Sequence, residues 1–267
     1  MPQGKGSLVV VGTGIEALGQ MTEAARREIR RAERVHYVAD PVSAQAILAI
    51  NPRSMSLQHL YDTGKHRLKT YAQMTERVLS DVRAGHRVCF ASYGHPGVFA
   101  IPTHAAVKMA RNEGYRAVML PAVSADACLI ADLGVDPGAT GWQSYEATDF
   151  LLRRRKPDPS VGLVLWQVGV VGRLDYPEGP VDRKKLALLT KALLKHYPSR
   201  HTATLYEAAS LPGFPPSIDE VRIGSLHKGP VTSITTLYVP PVRTAKIDRT
   251  MMARLGIRDE GKLRCLR

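Results

Sequence analysis

Strand-length apolar runs that stop at glycine or a turn, each followed by helical periodicity, recur along this chain, and no other feature narrows the fold as much. Ser7–Val11 reads as a buried strand ending in Gly12-Thr13-Gly14. Thr22 can cap a helix reaching Glu33, with Glu23 in its acid-favouring first turn. Val35–Val38 repeats the strand signal, and Ala44–Ile50 reads as a short helix closed by Asn51-Pro52. Between Lys65 and Arg83, Leu68, Tyr71, Ala72, Val78, Leu79 and Val82 recur at helical spacing. Arg87–Ser92 is a strand running into Tyr93-Gly94-His95-Pro96-Gly97, and Pro102–Asn112 a helix with Gly114 just past its end. Ala117–Leu120 is a strand, and Ser124 can cap a helix to Leu133. This alternation implies an α/β fold with a mostly parallel sheet and helices on both faces.

The run Arg153-Arg154-Arg155-Lys156, followed by Pro157 and Pro159, breaks the rhythm and reads as a solvated linker. We therefore expect an N-terminal α/β domain over 1–152, a C-terminal α/β domain over 153–242 and a basic tail over 243–267. In the second domain, Gly162–Val168, Thr202–Tyr206 and Thr232–Val239 read as strands. Asp182–His196 and Ser217–Leu226 read as helices, and Asp248–Leu255 as a short helix in the tail.

Composition bounds the partners. The formal net charge of +13 favours something anionic: nucleic acid, an acidic protein segment or an anionic small molecule. Aromatics make up only 6% of residues and are not interleaved with the basic ones as stacking platforms would be, which argues against nucleic acid. No apolar stretch approaches the roughly 20 residues that cross a bilayer, and the opening MPQGKGSLVVVG lacks the features of a secretory signal, so a cytoplasmic location is expected. The three cysteines (Cys89, Cys128 and Cys265) are odd in number without close pairing, and the nine histidines show no ligand spacing, so no metal is expected.

Three stretches carry candidate chemistry. Gly12 and Gly14 after a strand let a ligand approach backbone, although no third glycine completes a dinucleotide fingerprint, and a tight corner explains them as well. In Tyr93-Gly94-His95-Pro96-Gly97-Val98-Phe99, glycines and a proline fix an irregular loop at a carboxyl strand end, where open α/β sheets bind ligands. Arg67 and Tyr71 are four apart, so a helix puts them on one face, with Tyr61 just before it. A guanidinium beside a phenol favours the phenolate, so the three could form a general base with an oxyanion stabiliser. The same spacing suits an Arg67 paired with a surface acid and a Tyr71 in the core.

Taken together, V-G-T-G, G-H-P-G, P-A-V-S-A and the closing T-x-x-T-T-L-Y-V-P-P, spread from Ser7 to Pro241, resemble the tetrapyrrole methylase fold family of S-adenosylmethionine-dependent enzymes. GSLVVVGTGIEALGQMT, YDTGKHRLKTYAQM, YGHPGVF, GYRAVMLPAVSADACLIADL, SYEATDFL and LVLWQVG are more closely similar to the borosin peptide-backbone α-N-methyltransferases. The acidic G-D-P loop usual in generic tetrapyrrole methylases is replaced by G-H-P-G-V-F, against a corrin or porphyrin substrate. The resemblance implies two α/β domains with the cofactor in the cleft between them. It implies a Tyr61, Arg67, Tyr71 and Tyr93 catalytic set, and S-adenosylmethionine held by Tyr93, His95, Val98, Phe99, Ser124, Ala125, Gln167, Ala208, Thr235 and Thr236, with S-adenosylhomocysteine as product. It also implies a homodimer, extending to a heterotetramer with two precursors. Fungal members carry their substrate as a C-terminal extension, whereas the closing DEGKLRCLR is polar and basic. A split enzyme acting on a separate precursor peptide with a leader or binding domain is therefore expected. A tetrapyrrole or RNA methyltransferase of the same fold and a non-catalytic nucleic-acid-binding protein are the alternatives.

Overall fold

The computed structural model describes residues 6–62, 64–175 and 179–258. Thr63, Cys265 and the closing DEGKLRCLR lie outside them. The chain forms two compact units, one running through Cys128 and taking in residues 174–175 and Ala208–Pro215, the other made of the remaining described residues from Leu129 on.

The first unit is built on β1 (Ser7–Gly12), α1 (Glu23–Arg31), β2 (Arg34–Val38), α2 (Pro41–Ile50), β3 (Ser54–Ser56), α3 (Arg67–Arg83), β4 (Arg87–Ser92), α4 (Ile101–Asn112) and β5 (Arg116–Met119). All five strands are parallel, in the order β3-β2-β4-β1-β5. Alternation along the central strands sorts the core into two layers. Leu8, Val10, Val88 and Phe90 pack with Met74, Val78 and Leu79 of α3 and Ala106 and Ala110 of α4. Val11, Cys89 and Ala91 pack on the other face with Ala25 and Ile29 of α1 and Ile47 of α2. The helix starts are fixed by side chains: Thr22 accepts from the Ala25 amide, and Asp40 Oδ1 from Val42 and Ser43 at 2.9 Å each. Asp40 capping ahead of Pro41 starts α2 one turn earlier than its apolar periodicity suggests.

Helix α5 (Ala125–Leu133) follows, then α6 (Pro137–Thr140), β6 (Trp142–Glu146), α7 (Ala147–Leu152), β7 (Gly162–Trp166), α8 (Arg183–Leu193), β8 (Thr202–Glu207), β9 (Ser217–Arg222), β10 (Thr236–Val239) and α9 (Arg249–Arg254). The second sheet has the order β6-β7-β10-β8-β9 and is mixed: β6 and β7 are parallel, the other pairs antiparallel. One face buries Leu163, Leu165, Leu205 and Leu237 with Phe150 of α7 and Leu186, Leu189 and Leu193 of α8. On the other, the Trp142 and Tyr238 rings stack 5.6 Å apart and Tyr206 donates to Asp132 at 2.6 Å. No helix among the described residues is long and apolar enough to cross a membrane.

Three expectations change. Ser217–Leu226 is not a helix: Ser217–Arg222 pairs residue for residue with Thr202–Glu207, and only Ile223–Lys228 coils, as a 3-10 turn. Its acidic residues mimic a helical first turn, but pairing with β8 overrides local preference. The strand expected over Thr232–Val239 begins only at Thr236, because Thr232–Thr235 is a turn. The divide between units falls at Cys128 rather than at 153, because β6 pairs with β7 and α7 buries Ala147 and Phe150 in the second core. The basic run at 153 is thus the cap of α7, not a linker. The Arg154 amide donates to Leu151 and that of Arg155 to Phe150, a Schellman closure that puts Arg154, at φ 50°, where glycine is usual.

A buried pair ties β2 to α3: His36 Nε2 lies 2.8 Å from Asp81 Oδ2, and His36 is fully buried. Burial holds the imidazole below its ordinary value, helped by Arg77 and Arg34 and opposed by Asp81. Below about pH 6.5 the unfolded chain therefore takes a proton that the folded chain refuses. Stability measured by urea titration should fall from pH 7 towards about pH 5, and His36→Gln, which keeps a donor for Asp81, should flatten that slope.

Candidate functional site

In a parallel sheet every carboxyl strand end lies along one edge, and in the first unit that edge gathers the loops after β1, β4 and β5. Gly14 and Gly94 exchange backbone hydrogen bonds there, N to O at 3.3 and 2.9 Å. Both have left-handed backbones, at φ 79° and 68°. A methyl group on Gly12 would overlap Gly94 O and come within 2.6 Å of Ala122 Cβ and 2.8 Å of Pro96 Cδ. The V-G-T-G and Y-G-H-P-G motifs are thus one structure, two loops in backbone contact that tolerate no side chain between them.

Gln20 completes the first loop by accepting from the amides of Ile15 and Glu16 at 2.9 and 3.0 Å. In the second loop the Gly97 amide donates to His95 Nδ1 at 2.9 Å. A neutral His95 ring then carries its proton on Nε2 and presents a donor. Thr103 hydroxyl donates to Pro96 and Ala100 carbonyls, and His104 Nε2 sits 2.9 Å from Gly97 O. On this braced loop Tyr93, Val98 and Phe99 stay exposed, with Phe99 left-handed at φ 51°. A non-glycine residue held so is strained by of order 1–3 kcal/mol, and such strain concentrates at ligand sites. Ser124 caps α5 by accepting from Ala127, and Ala125 opens that helix. Ala208 begins the returning segment, whose Ser210 carbonyl accepts from Ala17 at 2.9 Å.

Two polar atoms at this edge are buried with no hydrogen-bond partner among the described residues: Ser92 Oγ at the end of β4 and Asp40 Oδ2 just past β2. Partial burial, then the charge of Asp40, raises the Tyr93 phenol above its ordinary value, so Tyr93 stays a neutral donor. Glycine-lined backbone, exposed apolar rings and unsatisfied polar atoms suit a ligand that is partly apolar and partly charged.

The residues expected to be catalytic fall into two places in this unit. Tyr61 closes a 3-10 turn and, like Tyr71 of α3, packs half-buried against the core layer that holds Phe90. The Arg67 amide donates to Leu174 O at 3.1 Å and His66 caps α3, so the helix start that carries Arg67 is anchored, and Arg67 is half-buried. Thr75 Oγ1 bonds the Tyr71 carbonyl at 2.9 Å. Tyr93 stands on the neighbouring loop, its amide bonded to Val38 O at 2.8 Å.

Gln167, Thr235 and Thr236 belong to the second unit. Gln167 ends β7 in a left-handed backbone, φ 59° and ψ 35°. Gly169 lets the next turn press on Thr232 O, which a methyl group would overlap. Thr235 donates to Glu207, as Thr232 does at 2.6 Å, and accepts from the Thr232 amide at 2.8 Å, so its hydroxyl is committed within the turn. Thr236 is buried in β10. Gln20, Asp40, Ser92 and Glu207 went unread in the sequence. Only Asp40 had a local signal, an Asp ahead of proline and a helix; the others act through distant partners.

Residues 7–214 match the family described as Tetrapyrrole (Corrin/Porphyrin) Methylases. The chain is 42% identical, over 97% of its length, to the methyltransferase/ribosomally synthesized cyclic peptide dendrothelin A precursor dbihMA of Dendrothele bispora. It is 41% identical, again over 97%, to the methyltransferase/ribosomally synthesized cyclic peptide omphalotin A precursor ophMA of Omphalotus olearius. It spans 63% of the length of each of these relatives. Among solved structures it is similar to uroporphyrin-III C-methyl transferase from Thermus thermophilus complexed with S-adenyl homocysteine. The TM-score is 0.60 at 19% identity, covering 88% of this chain and 97% of that one.

Gly12→Ala meets backbone that cannot yield without breaking the Gly14–Gly94 exchange. It should cost about 1–3 kcal/mol of stability by thermal or denaturant unfolding. The more open Gly64→Ala, with nothing within 4 Å but a φ of 74°, should cost less.

Proposed function

Because the chain belongs to the tetrapyrrole (corrin/porphyrin) methylases, we propose that it transfers methyl groups from S-adenosylmethionine to backbone amide nitrogens of a ribosomally made peptide. The observation that carries this reading is 42% identity over 97% of the chain to a protein named as both methyltransferase and cyclic peptide precursor. In its finer form the proposal places the substrate peptide on a separate chain and makes the enzyme a cytoplasmic homodimer.

An amide nitrogen is a poor nucleophile because its lone pair is shared with the carbonyl. The protein must remove the N–H proton and stabilise the charge that collects on the amide oxygen. We assign proton removal to Tyr71, supported by Tyr61, with Arg67 as the cation balancing the developing negative charge. Tyr93, kept protonated, suits the other task of donating to the amide oxygen. One such donor is worth about 3–4 kcal/mol when lost. In the first unit, Gly12, Gly14, His95, Val98, Phe99, Ser124, Ala125 and Ala208 would hold the cofactor, alongside the Tyr93 ring. When bound, the cofactor supplies a methyl group already activated by its sulfonium charge. What the chain adds is positioning, which is why anchored loops rather than mobile ones suit the task.

Tyr71→Phe should abolish turnover while S-adenosylhomocysteine still binds by calorimetry; retained turnover removes Tyr71 as the base. Arg67→Lys should be nearly as damaging, since an ammonium lacks the planar donor fork, and Tyr93→Phe should lower kcat by about 10²–10³. The class is tested by co-expression with any small open reading frame encoded next to the gene and intact-mass measurement. Successive methylene gains on that separate chain support the reading. An unmodified peptide beside methylated tetrapyrrole or RNA overturns it.

A further inference from the structure

The basic run that looks like a linker forms one wall of a cavity of about 620 Å³ lying wholly within the second unit. The cap of α7 supplies Arg154, Arg155 and Lys156, and α8 with the turn after it supplies Lys191 and Lys195. Apolar side chains, including Leu151, Ala192 and the exposed Leu188, make up the rest of the lining with His196, and no acidic residue faces in. Asp149 pairs with Arg153 at 2.6 Å and with Arg155 at 3.1 Å. Arg154, Lys156, Lys191 and Lys195 have no acidic partner among the described residues.

Gathering like charges around one hollow is unfavourable, and the fold adds to the cost by holding Arg154 in a left-handed backbone that glycine would take freely. An anion would relieve the repulsion, and the exposed Leu188 gives that anion something apolar to cover. A single-stranded nucleic acid would want an exposed ring to stack on. The one Phe, Tyr or Trp ring in the lining, Phe150, is 2% exposed, which leaves only the half-buried His196 imidazole as a flat face. We propose that this groove binds an acidic peptide segment carrying leucine-like side chains at helical spacing, its carboxylates on Arg154, Lys156, Lys191 and Lys195 and its apolar face on Leu151, Leu188 and Ala192. Joined to the methyl-transfer reading, on which this last step rests, that segment is a recognition element of the substrate polypeptide.

The probe is a short labelled synthetic peptide with Glu and Leu on adjoining strips of one helical face, titrated by fluorescence anisotropy without cofactor. Wild-type protein should bind it with an affinity that falls as salt rises. Arg154→Gly and Lys191→Glu/Lys195→Glu should each weaken it at least about tenfold, a loss of roughly 1.4 kcal/mol. Arg154→Gly should leave the thermal midpoint unchanged or raised, because glycine suits that backbone, so a binding loss there is not a folding loss. The groove proposal is overturned if the variants bind as wild type does, or if a Ser-for-Leu peptide binds equally well. It is also overturned if a single-stranded RNA of similar length displaces the peptide, or if the variants change the mass of the particle in solution, which would make the occupant a second copy. Peptide binding without methylation of any co-expressed precursor counts against the methyltransferase reading alone. Methylation unimpaired in variants that no longer bind counts against the groove alone.

Discussion

Two glycines trading hydrogen bonds across the carboxyl edge of the first sheet hold together what the sequence displays as separate motifs. The Gly14–Gly94 exchange joins the ends of β1 and β4, neighbours in the sheet, so each loop is the other's template. Gly12 lies beneath, against Gly94 O, and leaves no room for a side chain. Everything assigned to ligand binding on this edge hangs from that contact. His95 is oriented by the Gly97 amide of the same loop, Tyr93 leaves β4 one residue before Gly94, and Gln20 packs against Gly14. A motif of small residues recurs at this edge because small residues let two stretches of backbone touch.

The parts legible in the sequence are those whose cause is local. β4 occupies Arg87–Ser92, as its continuous apolar run implies, because a central strand of a parallel sheet is buried on both faces. α1 and α8 begin after Thr22 and Asp182 because a capping oxygen needs only its own next turn. Misreadings arise where partners lie far along the chain. β9 is a strand only because β8 is beside it, and β6 leaves no mark in the sequence because Trp142-Gln143-Ser144-Tyr145-Glu146 has no apolar run. Composition suggests a break at 153–156, yet the chain crosses between units near Cys128 and rejoins the first at Leu174 and again at Ala208. The same division applies to the site. Arg67 and Tyr71 announce themselves by spacing, whereas Ser92 and Glu207 acquire meaning from what is buried or turned around them.

The tyrosines show how environment divides a single chemistry. Tyr93 sits near Asp40 and is partly buried, both of which oppose ionisation. Tyr61 and Tyr71 rest against the hydrophobic layer under α3, where Thr70 and Thr75 donate to the Leu60 and Tyr71 carbonyls and the Leu174 carbonyl accepts from the Arg67 amide, fixing the backbone nearby. Rigid support on one side and a neutral phenol on the other is an arrangement in which proton removal and charge acceptance need not fall to the same ring.

Strand β9 closes one border of the second sheet with Asp219, Glu220 and Arg222, and Ser217, Ile218, Glu220 and Arg222 are open to water. A border so charged discourages a foreign chain from docking as one more strand. For a protein proposed to act on polypeptide, that has a practical bearing. A guest zipped into a ladder would spend its N–H groups on the host's carbonyls and shield the very atoms to be alkylated. Capture by side chains leaves them available, and a fold that repels added strands steers a flexible guest towards that mode.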